Sequence, residues 1–442
     1  MSGPEPACHS IPRRLFEALA AGGGGPEAMR ALAAAQRSKH LILLRGILQA
    51  ARAVDDEQAR LARRGHEVLV AAERYDPVAV AQTACYPAVG AWAVRALRGE
   101  TGGAGSGIAR LSAVAAAAAV RAGLDVEVAV LPDSGGVGLP SLGIAYTDAD
   151  TVIVRTARGH AEIRWAGGRV DVPVDPQEDA PGWHGLRRVR LGGSVLAIDD
   201  LDSFRMPAVT GLESRLNDRD AEDWRHRLRE GYQLLAATQP TTAAEVAMAV
   251  SAIVPMAASV HGQLSSSSPE TFGAIAMSKP AEPYACAATF AHEIQHLKLA
   301  ALIDIARLTL PDDGRRFYAP WRADPRPVAG LLQGAYAYLG VTEFWRAQRP
   351  AATGTTRVRA DSEFALWRAG TTRVIDTLLS SGRLTSVGMD FVQGMSRAIS
   401  ACADEQVPAQ ARAIAMEKSR HHLTRWERDN GPVSTRDEPA GY

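Results

Sequence analysis

The chain has 442 residues, more than one ordinary hydrophobic core accommodates and enough for two or three packed units. A hydrophobic fraction of 46% with 22% charged residues belongs to the globular class rather than the disordered or fibrous ones. Lys plus Arg and Asp plus Glu are equal at 49 each, so no global field draws the chain to nucleic acid or acidic lipid, and neither partner is expected.

The N-terminal stretch MSGPEPACHSIPRRLF lacks an apolar run of signal-peptide length, and AVAAAAAV at 113–120 is too short and alanine-rich to span a bilayer. A cytoplasmic protein is therefore expected. Residues 1–120 read as a helical region: LFEALA at 15–20 begins a helix, the glycines at 22–25 break it, and Pro26 with Glu27 suits the first turn of the next. GGGG at 22–25 has neither the lysine nor the preceding strand of a phosphate-binding loop. After the linker TGGAGSG at 101–107 comes a short alanine-rich helix.

From Asp125 the period changes to two. VEVAVL, LGIAYTD, TVIVRT, HAEIRW, RVDVPV and RRVRLGGSVLAI are strand-like and separated by gaps too short for crossover helices, so 121–200 is expected to be an antiparallel β subdomain. RRVRL at 187–191 is a single basic patch at a strand edge, not a nucleic-acid stripe. Helical periodicity returns near Ser214 and continues through AAEVAMAVSAIVPMAASV, with SSSSPETFG at 265–273 as a polar loop. Further helices are expected at about 284–308, 328–346, 358–380 and 388–425, giving a helical domain over 201–427 and a flexible tail over 428–442. The fold class is thus α+β, mainly helical, with an antiparallel β subdomain inserted before a helical HExxH region. Cys8, Cys85, Cys286 and Cys402 form no CxxC pair, which excludes a sulfur-ligated zinc or iron–sulfur site of the usual spacing.

The informative helix is AATFAHEIQHLKLAALIDI. His292 and His296 are four residues apart, about 40° around a helix axis, so both imidazoles project from one face toward a common volume that suits zinc, iron or another borderline divalent ion. Glu293 lies about 100° round from His292, where it can reach a metal-bound water without being a ligand. The alternative is a pair of half-buried structural histidines, which requires no intervening glutamate. Histidine is scarce between His296 and the pair His421 and His422, so a carboxylate is expected as third ligand: Glu343 on the next helix, with Asp361 and Glu363 as rivals. Two histidines and a carboxylate support either a zinc hydrolase with Glu293 as general base or a non-haem iron oxygenase. Lys298 is about 200° round from His296 and is expected to point away into a structural salt bridge, while Gln295 is a candidate for contact near the site.

The neighbourhood narrows that choice. FAHEIQHLKLAAL followed by FYAPWRADPRPVAGLLQGAYAYLGVTEFWR resembles the HExxH-type 2-oxoglutarate-dependent peptide β-hydroxylase family associated with maturation of ribosomally made peptides, found beside or fused to radical-SAM maturases. The likeness is best over 250–350. It implies Fe(II) at His292 and His296, 2-oxoglutarate as cosubstrate, and O2-dependent attack on a side-chain β-carbon of a precursor peptide. Where members often carry a histidine in the AYAYLGV segment, this chain has Tyr338. A bound 2-oxoacid needs a cation for its distal carboxylate, and Arg322 and Arg326 in the proline-framed WRADPRP loop are candidates, with Arg346 as an alternative. Tyr336 and Tyr338 are candidates for a substrate channel, with Trp321 and Trp345 in its wall, and His261 for an approach from the preceding segment. A zinc metallopeptidase and a non-enzymatic peptide-binding protein are the other readings.

Overall fold

The structure is a computed structural model that describes residues 8–102, 107–133, 135–258 and 262–433. In chain order the first helices are α1 (Arg13–Ala20), α2 (Gly25–Ala53), α3 (Glu57–Tyr75), α4 (Pro77–Ala84), α5 (Pro87–Leu97) and α6 (Leu111–Ala122). Strands β1 (Val126–Val130), β2 (Gly136–Leu139), β3 (Gly143–Tyr146), β4 (Val152–Ala157), β5 (His160–Trp165) and β6 (Gly168–Val172) follow. Next come β7 (Trp183–Gly185), β8 (Arg188–Leu191), β9 (Ser194–Ile198), then α7 (Asp218–Thr238) and α8 (Pro240–Ala249). Strands β10 (Ala252–Met256), β11 (Ser265–Ser266) and β12 (Ala274–Ser278) precede α9 (Pro283–Ile303), α10 (Val328–Gln348), α11 (Gly354–Ser380), α12 (Ser386–Ser400) and α13 (Ala409–Asn430). The architecture is mixed α+β and mainly helical, with antiparallel sheet inserted between helical regions. Among the described residues no helix is long and apolar enough to cross a membrane.

The chain divides into two compact units, one of residues 36–229 and 249–281, the other of 1–35, 230–248 and 282–442. In the first, helix starts follow local chemistry: Asp56 accepts from Ala59 N at 2.7 Å to begin α3, and Asp76 accepts from Val78 N and Ala79 N, with Pro77 at the first position of α4. Helix α6 is buried on every side from Leu111 to Ala119, as expected of a helix apolar all round.

Within 123–199 every strand pair is antiparallel, in a four-stranded sheet β1-β4-β5-β6, a three-stranded sheet β2-β3-β7 and the β8–β9 hairpin. A correction concerns 252–256, expected to be helix, and 274–278, where no element is expected. They are strands β10 and β12, which run parallel to each other, and β10 runs parallel to β9. Both are short uninterrupted apolar runs, AIVPM and AIAMS, which periodicity cannot distinguish from buried helix. Pro255 is tolerated because β9 pairs only with Ala252 and Ile253, and the Pro255 carbonyl accepts from Glu213 N instead.

The second unit is helical. Helix α10 packs between α9 and α11, and it comes close to α9 at Gly340, where a Cβ would lie 2.6 Å from the Ala291 carbonyl oxygen and 2.7 Å from Gln295 Cγ. Only glycine permits this crossing. Helix α13 continues to Asn430, so the first residues expected in a flexible tail are helical, and 434–442 lie outside the described residues.

Candidate metal centre

Helix α9 places His292 and His296 on one face with their Nε2 atoms 3.1 Å apart. His296 Nδ1 lies 3.2 Å from Gln333 Oε1 on α10. With Nδ1–H given to that oxygen, His296 presents its Nε2 lone pair on the side of His292, the orientation a metal-ligating imidazole needs. Burial, reinforced by the neighbouring His296 charge and only partly offset by Glu293, pushes the His292 imidazole down to about 4, so it is neutral at physiological pH. A neutral imidazole is also the ligand form. Glu293 is 1% exposed, and its Oε1 is 3.9 Å from His292 Nε2. Two metal–nitrogen bonds of about 2.1 Å at a near-right angle span about 3.0 Å, so the pair fits one divalent ion.

Aromatic rings close over this pair. Tyr338 meets His292 edge-on with centroids 5.1 Å apart, stacks on Trp321 at 4.6 Å and contacts Trp367 at 4.3 Å. Trp321 fits because position 334 is glycine: a Cβ there would lie 2.4 Å from the indole Nε1. The loop carrying Trp321 is tied at its base, where Phe317 and Arg326 exchange two backbone hydrogen bonds of 2.8 and 2.9 Å. It is braced by α13, where His422 Nδ1 is 2.9 Å from the Tyr318 hydroxyl and Asn430 donates to the Ala323 carbonyl. Glu363 accepts from Trp367 Nε1 and from Lys418 Nζ, both at 2.7 Å. Burial, then the charges of Glu363 and Glu293, raise the Tyr338 phenol, with Arg322 opposing them. Tyr338 has no hydrogen-bond partner for its hydroxyl among the described residues.

The remaining expected residues are distributed as follows. Glu343 does not close a three-donor group with the histidines; Arg346 binds it at 3.2 Å. The reason is helical phase, since Glu343 is about 140° around α10 from Tyr338, whose ring touches His292. Asp361 is buried between Arg349 and Arg357. Arg322 and Arg326 both pair with Asp324, and Arg346 also pairs with Glu405, so each of the three arginines is already held by a carboxylate.

The substrate contacts expected of Gln295 and Tyr336 need correction. Gln295 is 2% exposed and donates to the Gly22 carbonyl, while Tyr336 is 1% exposed and donates to the Leu19 carbonyl. Trp345 is likewise packed away, stacked on Tyr284. His261 lies outside the described residues. Lys298 is fully buried in the expected salt bridge, 2.8 Å from Glu245.

Two features escaped sequence reasoning. Gln333 is one; no local pattern marks it, because its partner is 37 residues away on another helix. Replacing Gln333 with Leu is expected to leave the fold intact and weaken metal binding by about 10- to 100-fold, measured by competition with a chromogenic chelator. The other is in the four-stranded sheet, where His160, Glu162 and Asp171 bring three donor atoms within 4.8 Å of one another, a group able to chelate a divalent ion. Its signal was the H-x-E alternation of β5, but the third member depends on the Glu162–Asp171 register with β6. Glu162 also faces Arg155 at 3.4 Å and Arg164 at 3.5 Å, so an ion there competes with two guanidinium groups. Comparison with known proteins adds no family: neither a family model nor a curated protein matches the chain.

Proposed function

We propose that this chain is an Fe(II)- and 2-oxoglutarate-dependent oxygenase that hydroxylates a side-chain β-carbon of a ribosomally made precursor peptide, one also handled by a radical-SAM maturase. The observation that carries the reading is the convergence of His292 and His296 at 3.1 Å with Gln333 fixing the tautomer. That spacing fits two neighbouring positions on one divalent ion, iron among them. The resemblance of the HExxH flanks and the WRADPRP segment supports the same choice.

His292 and His296 would hold the metal, which when bound supplies the O2 chemistry. The chain's own residues then do the rest. Gln333 keeps the His296 Nε2 lone pair available. Tyr338, backed by Trp321 and Trp367, covers one side of His292 and offers a wall for the peptide. Arg322, next in sequence to the Trp321 that stacks on Tyr338, would exchange Asp324 for the distal carboxylate of 2-oxoglutarate. Glu293, buried beside His292, balances charge and holds the ligand face rather than serving as a base in contact with solvent.

The test is anaerobic loading with Fe(II) and 2-oxoglutarate, addition of a precursor peptide encoded nearby, and then O2. Oxygen-dependent succinate and a peptide heavier by one oxygen atom are expected. Two peptide fragments under zinc loading without cosubstrate would replace this reading with a metallopeptidase using Glu293 as base. An unchanged peptide in both arms would leave a peptide-binding protein.

A further inference from the structure

A second site lies in the β-containing unit. A cavity of about 410 Å³ is bounded by α4, α6 and β9, and among the described residues its charged lining is Arg121 and Arg188. The rest of its polar wall is neutral and includes Gln82, Gln177, Ser141 and Ser251. The same two arginines also line an adjoining cavity of about 240 Å³ that has no acidic side chain on its wall. The volume of the first is that of a small-molecule site, far above what one water needs.

Two guanidinium groups line this cavity, and among the described residues its wall carries no acidic side chain, so the charge facing the cavity is net positive. Arg121 is held by neutral acceptors, Gln82 Oε1 at 3.3 Å and the Ser141 carbonyl and hydroxyl at 3.1 and 2.9 Å. Those bonds use its terminal nitrogens, and its buried Nε–H has no acceptor among the described residues. Arg188 has a single carboxylate neighbour, Asp175, at 3.6 Å. Burial first, then the nearby Arg188 charge, lowers the Arg121 pKa, with Tyr86 and Asp175 opposing them. Gln177 Oε1, also buried, has no donor among the described residues. Ser141 is fixed with φ of 69°, an uncommon conformation for a residue with a side chain, by its bonds to Arg121 and Gln177.

We infer that this cavity binds a small oxyanion, a carboxylate or phosphate carrying a hydroxyl or protonated oxygen, between Arg121 and Arg188. Acceptor oxygens would satisfy the guanidinium groups and an O–H would satisfy Gln177. Arginine recognises both anion classes through paired N–H donors, so two probes separate them.

Cys85 lines the cavity and reports occupancy. The full chain, freed of metal and held at constant chloride, is titrated with inorganic phosphate and separately with malate, a carboxylate that carries a hydroxyl, by calorimetry and by the rate of Cys85 alkylation read by peptide mass. Binding of one probe at one equivalent with a dissociation constant below about 1 mM, slowed Cys85 alkylation, and at least a tenfold loss in Arg188→Gln are expected, tenfold being about 1.4 kcal/mol. The probe that binds assigns the class. Arg121→Gln should behave alike; if it fails to fold, Arg188→Gln decides alone, because Arg188 is a half-exposed strand residue. No binding of either probe at about 10 mM, a limit corresponding to less than 3 kcal/mol, overturns the inference. So does binding that Arg188→Gln leaves unchanged.

Discussion

Replacement of His292 or His296 by alanine is expected to lower metal affinity on the order of 10³-fold, beyond the 10- to 100-fold typical of losing an outer hydrogen-bond partner, and to abolish turnover. The two nitrogens lie 3.1 Å apart on one helix face, so neither alone can chelate. The metal-free fold should survive, because His292 is neutral and about a fifth exposed and alanine maintains the helix. Metal content after dialysis, read beside the melting temperature, separates the two effects. A variant that keeps one equivalent of iron would refute the assignment, and one that loses metal only by unfolding would not support it.

The second large effect concerns stability. Lys298 Nζ donates to the Gly22 carbonyl at 2.8 Å, the Gly23 carbonyl at 3.1 Å and Glu245 Oε2 at 2.8 Å, while Glu245 Oε1 accepts from Gly25 N at 2.7 Å. The lysine and glutamate side chains are 0% and 1% exposed. Lys298→Met therefore leaves a buried carboxylate without its cation and the Gly23 carbonyl without its donor, while the Gly22 carbonyl keeps Gln295, at a cost of about 3–5 kcal/mol. For a unit of this size that lowers the melting temperature by roughly 6–20 °C. Replacing both partners, Lys298→Met with Glu245→Leu, should recover much of the loss, since no isolated charge remains. Calorimetric melting of the two variants is the measurement, and a Lys298→Met variant that melts with the parent chain would refute the account.

What could be read from sequence follows from how local each signal is. The His292 and His296 pair needs only the pitch of one helix, and the hairpins of 123–199 need only alternation and turn residues. Lys298 was legible for the same reason: its angle from His296 excludes the metal face. Gln333 was different, because its placement depends on how α10 packs on α9, which no one-dimensional pattern contains. Glu343 had the right chemistry on the right helix but the wrong phase, and phase matters only once the facing residues are known. Arg322 and Arg326 looked available because Asp324 between them was not counted as their partner. Strands β10 and β12 were lost in uninterrupted apolar runs, where the pairing that decides their identity lies in other parts of the chain.

The glycine corner that receives Lys298 also bears on synthesis. Gly22 and Lys298 are 276 residues apart. At 5–20 residues per second the corner leaves the ribosome about 15–55 s before its lysine does, and no earlier segment supplies that ammonium group. The first helices can form, but the packing around the corner and the HExxH helix must wait for late translation. A nascent chain arrested before residue 298 would thus hold the Gly22 and Gly23 carbonyls in water or on a chaperone, and the histidine face would be among the last parts of the protein to become ordered.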